Sequence, residues 1–232
     1  MSHALSDPAL AASAREFLLE ELSQLGVDYL ARRQIPQAPS MPDSLEQIQA
    51  EIAACQNCEL ACSRTQTVPG SGSASARVVF VGEAPGAEED LQGQPFVGPA
   101  GQLLDKIIES GMGLRRADVF ILNILKCRPP GNRDPLATEK QACTPFLQRQ
   151  LHALRPDIVI CLGRHAANYF IGSDLTLGQL RGRLHQSTSG IPILATYHPA
   201  YLLRTPSAKV DCWQDIQIAM NHLGLKRPGA AQ

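Results

Sequence analysis

No apolar run among the 232 residues approaches the ~20 needed to cross a bilayer as a helix, and the amino terminus carries no basic-then-apolar leader. These absences argue against a membrane protein or an exported one, and a cytoplasmic protein is expected. There is no internal repeat and no low-complexity tract beyond one Pro-rich stretch. The net charge of −1 provides no overall basic excess of the kind that would by itself signal a nucleic-acid partner. Its distribution says more. Residues 1–60 hold three Arg against nine acidic residues, a net −6, while the remainder holds eighteen basic against thirteen acidic residues, a net +5. A mildly basic body permits a polyanionic ligand without demanding one. Seven Cys in a chain without export signals argue against a disulfide framework and for a metal site, a reactive thiol or buried apolar filler.

What is present reads as α/β. Val78-Val79-Phe80-Val81 is apolar without alternation, as in a strand buried on both faces of a parallel sheet. The run breaks at Gly82, and Pro85-Gly86 forces a turn where the strand's carboxyl end would emerge. Further strands are expected at 118–125, 157–162 and 191–196, separated by a helix through Leu103, Leu104, Ile107 and Ile108 that ends near Gly111-Met112-Gly113, a helix at 138–154 and, last, one at 206–223. Strands alternating with helices imply right-handed crossovers, hence a three-layer α/β/α domain around a four-stranded parallel sheet. Ahead of it, 7–33 reads as an amphipathic helix followed by a linker with three Pro between Pro36 and Pro42. The expected organisation is therefore a helix and linker at 1–43, a catalytic domain at 44–225 and a tail at 226–232. The first helix is a packing element or a dock for a protein partner.

Two constellations carry chemistry. Cys55 and Cys58 form C-x2-C, and Cys127 and Cys143 follow with fifteen residues between them. Four such thiolates suit a [4Fe–4S] cluster or structural Zn²⁺, and spacing alone does not choose between them. Cys161 and Cys212 fall on apolar faces and read as core, and Cys62 as a bystander. The second constellation follows from the rule that open α/β sheets bind ligands beyond the carboxyl ends of their strands. Glu83 follows the first strand, with Ala84 and Pro85 in its turn. Phe96 lies in the loop Gln94-Pro95-Phe96-Val97-Gly98. Asn123 interrupts the second strand, and His198 follows the fourth. Each alone has an ordinary structural reading. Together, a carboxylate, an aromatic face, an amide and an imidazole match the needs of recognising one nucleobase.

At this point the stretches GEAPGAEED, GQPFVG, FILNILKCRPPGNRDP and HPAYLLR, with the four Cys, resemble the family 4 (iron–sulfur) uracil-DNA glycosylases over roughly residues 50–222. The resemblance implies base-excision repair: uracil is flipped out of DNA and its N-glycosidic bond hydrolysed to leave an abasic site. It implies a [4Fe–4S] cluster on Cys55, Cys58, Cys127 and Cys143. It implies stacking by Phe96, reading of uracil by Asn123, a hydrogen bond from His198 to O2, and water positioning or sugar stabilisation by Glu83. Tyr201, Leu202 and Leu203 would fill the vacated stack, and Arg204, Arg128 and Arg133 would hold phosphates. Better-known uracil glycosylases carry a Gln-Asp pair where this chain has Glu83-Ala84, so the group that activates water stays open. Relatives exclude thymine with a Tyr that falls at Gly86, and Glu89 is the substitute expected here. The loop Pro130-Gly131-Asn132-Arg133-Asp134 lacks the His through which one further relative reacts covalently, so no adduct is expected. A monomer acting on uracil-containing DNA, single- or double-stranded, is expected. The rivals are a cluster- or zinc-stabilised DNA-binding module without catalysis and a hydrolase of free nucleotides.

Overall fold

The computed structural model describes residues 44–226. The helix and linker expected at 1–43, and nearly all of the expected tail, lie outside the described residues. In chain order the elements are α1 (Leu45–Ala54), α2 (Leu60–Ser63), β1 (Ser71–Gly72), β2 (Val78–Gly82), α3 (Ala87–Gln92), α4 (Pro99–Lys106), β3 (Phe120–Asn123), α5 (Ala137–Leu154), β4 (Ile158–Leu162), α6 (Arg164–Ile171), α7 (Leu177–Leu180), β5 (Leu184–Gln186), β6 (Pro192–Thr196), α8 (Pro199–Arg204) and α9 (Lys209–Leu223).

The sheet order is β1-β3-β2-β4-β6-β5. The four inner strands are parallel, as expected, and β1 and β5 add short antiparallel edges that the sequence did not announce. Every residue of β2, β3 and β4 is buried. Successive side chains nevertheless go to different cores, as the two-residue period of a strand requires. Val78, Phe80, Ile121 and Ile160 pack under α4 and α9. Val79, Val81, Leu122 and Val159 pack under α5 and α6. Both faces are covered, which is why these strands read as continuous apolar runs.

The register sets the site. Gly82 pairs with Asn123, Val81 with Cys161, and Leu162 with Thr196, so β2, β3, β4 and β6 end level with one another. The chain leaving β2 turns to the α4 face, and the chain leaving its neighbour β4 turns to the α6 face. That divergence opens a crevice at the carboxyl ends.

Two expected boundaries shift. The second strand is shorter than 118–125, because residues 116–118 form a 3₁₀ turn and Asn123 is its last residue. Helix α5 begins at Ala137, one residue before the expected 138, and its N-cap is Leu136. The buried Glu139 carboxylate accepts the Leu136 N–H at 2.8 Å and both Arg133 guanidinium arms at 3.0 and 2.6 Å.

Candidate active site and thiol centre

One cavity of about 490 Å³ opens at the carboxyl ends, and Glu83, Phe96, Asn123 and His198 all line it, with Ala84, Pro85, Gly86 and Glu89. The four side chains arrive from β2, the loop before α4, β3 and the segment after β6. The sheet register brings them together across 115 residues of chain.

Gly82 makes the central approach possible. A Cβ there would lie 2.3 Å from Asn123 Oδ1 and 2.7 Å from Phe96 Cζ. Asn123 is 1% exposed, and its Oδ1 is buried without a hydrogen-bond partner among the described residues. An acceptor left unpaired in a buried position costs about 1–3 kcal/mol unless something fills it, so it points to a donor supplied by a ligand. The Asn123 main chain is also held, because the buried Lys126 ammonium donates to its carbonyl at 2.7 Å.

Phe96 sits in the left-handed region at φ 53°, a conformation uncommon for an aromatic residue. Two neighbours impose it. Gly101 lies so close that a Cβ would stand 1.8 Å from the Phe96 carbonyl oxygen. The Glu89 carboxylate accepts the N–H groups of Val97 at 2.9 Å, Gly98 at 3.1 Å and Gly86 at 3.1 Å. Glu89 thereby ties the Phe96 loop to the turn after β2. Its Oε2 also occupies the space above Gly86, 2.7 Å from where a Cβ would be.

His198 faces the Phe96 ring at 5.5 Å between centroids and 31° between planes. Its Nδ1 accepts the Ala200 N–H at 3.1 Å, capping α8. Burial, aided by Arg204, pushes the imidazole down to about 4. The ring is therefore neutral at physiological pH, and with Nδ1 accepting, the proton resides on Nε2. Glu83 is different: burial, and then the nearby Asp134 carboxylate, raise its pKa. Its Oε1 is likewise buried without a hydrogen-bond partner among the described residues.

Several expected DNA contacts are rearranged. Leu202 is 1% exposed and packs in the core under α8, so it is no wedge. The apolar run Tyr201-Leu202-Leu203 is a helical turn, which points its middle residue inward and leaves Tyr201 and Leu203 39% and 46% exposed. Tyr201 stacks on Tyr197 at 5.1 Å. Arg204 is exposed on the cavity rim. Arg133 reaches the rim but is engaged by Glu139, and Arg128 donates to Asn132 Oδ1 at 2.8 Å. Asp134 and His165 beside Glu83 had not been singled out in the sequence.

The second centre lies behind β3. Cys55 ends α1, Cys58 is in the following turn, Cys127 lies four residues past Asn123, and Cys143 is in α5. All four are free thiols around a small hollow lined also by Ile52, Ala61, Phe146, Arg64 and Lys126. Arg64 donates to Cys127 Sγ at 3.2 Å and to the Cys55 carbonyl at 2.7 Å, and the Lys126 N–H donates to Cys143 Sγ at 3.2 Å. Burial pushes the Cys143 thiol up to about 11. Sulfurs ringed by N–H donors and two cations, and shut in by apolar walls, fit a metal centre that keeps them as thiolates. Cys62 is exposed, while Cys161 and Cys212 are buried in the cores.

Comparison with known proteins agrees with this geometry. Residues 69–217 match the family model of the uracil DNA glycosylase superfamily. The chain is 43% identical over 193 residues, 80% of its own length and 96% of the relative's, to a type-4 uracil-DNA glycosylase of Archaeoglobus fulgidus. This chain belongs to the type-4 uracil-DNA glycosylases. A second type-4 member, from Saccharolobus solfataricus, is 43% identical over 79% of the chain and 88% of the relative. A type-5 uracil-DNA glycosylase of Pyrobaculum aerophilum is 32% identical over only 58% of the chain. The superfamily match at 69–217 spans all four crevice residues and two of the four thiols, Cys127 and Cys143. No described helix is long and apolar enough to cross a membrane.

Proposed function

We infer that the protein excises uracil from DNA by hydrolysing the N-glycosidic bond, leaving an abasic site for base-excision repair. The observation that carries the reading is the cavity in which an aromatic face, an unpaired buried amide oxygen, a neutral imidazole and a carboxylate converge. It is joined by membership of the type-4 family. A flipped uracil would stack on Phe96. Asn123 Oδ1 would accept N3–H while its NH₂ donates to O4, a pattern that the cytosine edge does not offer. As the C1′–N1 bond breaks, negative charge gathers on the base and positive charge on the sugar. The His198 Nε2–H would donate to O2, and Glu83 would take a proton from the attacking water or face the cationic sugar. Glu89, fixed over Gly86, would be the group that meets the methyl of thymine.

Tyr201 and Leu203 are the apolar groups available to fill the gap in the stack, and Arg204 is the cation available for a phosphate. Cys55, Cys58, Cys127 and Cys143 would hold a [4Fe–4S] cluster. When bound, it supplies iron–thiolate bonds that tie the segment after α1 to α5 and to the loop following Asn123. Residues 44–225 are proposed as the catalytic domain.

The test is an oligonucleotide carrying one uracil, single- or double-stranded, incubated with the protein and then cleaved with alkali. Strand scission, with no release of base from dUMP, is expected. Intact oligonucleotide would leave only a binding module, and release from dUMP would favour a nucleotide hydrolase. Gly82→Ala gives a sharper check on the geometry, because its Cβ must displace Asn123 Oδ1 and the Phe96 ring together. A displacement of about 1 Å at a reacting constellation is expected to lower single-turnover excision roughly 10²-fold, with the fold intact by circular dichroism.

A further inference from the structure

The gap between the diverging connections of β2 and β4 holds three groups that no sequence motif links. Glu83 follows β2, His165 opens α6 after β4, and Asp134 lies in the loop before α5. His165 Nδ1 is 3.8 Å from Glu83 Oε1, and its Nε2 is 3.7 Å from Asp134 Oδ2. The Glu83 oxygen facing the imidazole is the one that is buried without a hydrogen-bond partner. Both gaps exceed a hydrogen bond by about 1 Å, a distance that catalytic pairs commonly close when substrate binds. The order carboxylate, imidazole, reacting oxygen is that of a triad in which an outer carboxylate fixes the tautomer of the ring.

We propose that His165 is a positioning residue for Glu83: oriented by Asp134 through Nε2–H, it presents Nδ1 to Glu83 Oε1 and stabilises Glu83 once that carboxylate has taken a proton. The inference rests on the uracil-excision reading above. In the step, the water oxygen bonds to C1′ while the C1′–N1 pair departs with uracil. One water proton passes to Glu83, whose Oε1–H then donates to His165 Nδ1. The uracil anion takes a proton from solvent, and Glu83 returns its proton when the abasic product leaves. His165 thus makes Glu83 a stronger base. The arrangement accounts for the unpaired oxygen and gives an exposed carboxylate, Asp134, a task.

The groups facing His165 and Glu83 are consistent with this. Burial keeps the imidazole neutral against the pull of Asp134, with Lys140 of α5 and Arg164 of α6 adding to the lowering. Asp134 raises Glu83, while Lys140 and Arg164 lower it.

The test is single-turnover excision across the pH range for the full chain and for His165→Phe, His165→Gln and Asp134→Asn. His165→Phe is expected to lose about 30-fold in rate with unchanged affinity for uracil-containing DNA. His165→Gln, which keeps an acceptor, is expected to recover most of that loss. Asp134→Asn removes a like charge, so the acid limb should move to lower pH. A His165→Phe rate within about threefold of the parent, with the limb unmoved, would overturn the proposal. Asp134 has a side chain 79% exposed, so its variant keeps the test open should His165→Phe not fold. A parent that excises no uracil would sink the functional reading alone. Titration of the ¹³C-labelled Glu83 carboxyl in DNA-free protein then decides this one: a midpoint lowered in His165→Phe and restored in His165→Gln supports it, and a midpoint that His165→Phe leaves unmoved refutes it.

Discussion

Replacing His198 by Ala is expected to lower the single-turnover rate of uracil excision about 10²–10³-fold, the usual cost of one donor to a developing oxyanion. The ring has two tasks. Nδ1 caps α8 through the Ala200 N–H, and on the proposed reading Nε2–H donates to uracil O2 as charge develops there. His198→Asn separates them. Its side-chain oxygen can still cap the helix, so about 1 kcal/mol of stability lost in the Ala variant should return by urea titration. The rate should not return, because the shorter side chain no longer carries a donor to the Nε2 position. The pH profile gives an independent sign. With its pKa pushed down to about 4, the imidazole is neutral throughout the working range and contributes no acid limb there. Glu83 is raised from its ordinary value and must be ionised to take a proton, so the rate should fall as pH drops through its pKa. His198→Ala should therefore scale the whole profile down without moving its limb, whereas Glu83→Gln should abolish the limb along with most of the activity.

The second large effect concerns the thiol ring. Cys143→Ala removes a proposed ligand whose sulfur accepts the Lys126 N–H. Iron and sulfide should be lost from the purified protein, with the broad visible absorbance of the cluster. The urea midpoint should fall by an amount corresponding to on the order of 4 kcal/mol or more, since losing a bound metal belongs to the few changes that cost this much. The loss should also be felt in the crevice. Lys126 connects the two centres: its N–H holds Cys143, and its ammonium holds the Asn123 carbonyl. Once the loop after β3 is released, the amide proposed to read uracil is no longer fixed, and excision should fall even under conditions where the protein stays folded. Cys62→Ala, at an exposed position away from the ring of four, should change neither iron content nor rate.

The inner four strands and the end of the sheet that carries the site were legible because their physics is local. Strands covered on both faces need apolar residues at every position, and their carboxyl ends are marked where the run breaks, at Gly82 and Thr196, whereas Asn123 read as an interruption of a strand running to 125 and not as its end. The edges were not legible. Ser71–Gly72 and Leu184–Gln186 are two and three residues long, with no buried residue among them, so they leave no apolar signal. Leu202 misled because three successive apolar residues after a His-Pro turn read as a wedge, whereas the helical period of α8 turns the middle one into the core. The ion pair of Arg133 was not legible either: a basic residue in a loop gives no hint that a buried Glu139 six positions on will pair with it. His165 could have been noticed by applying the carboxyl-end rule to β4 as well as to its neighbours, since Gly163 ends that strand as Gly82 ends β2. Lys126 left no sign, because nothing in a sequence marks a lysine whose ammonium will be buried against a main-chain carbonyl.

A structure of the protein with abasic DNA and free uracil tests the central claim most directly. The base is expected stacked on Phe96, with N3 within hydrogen-bonding distance of Asn123 Oδ1, O2 within reach of His198 Nε2, and the sugar C1′ turned toward Glu83. Uracil bound outside this crevice, or an Asn123 amide that remains unpaired with the base present, would contradict it.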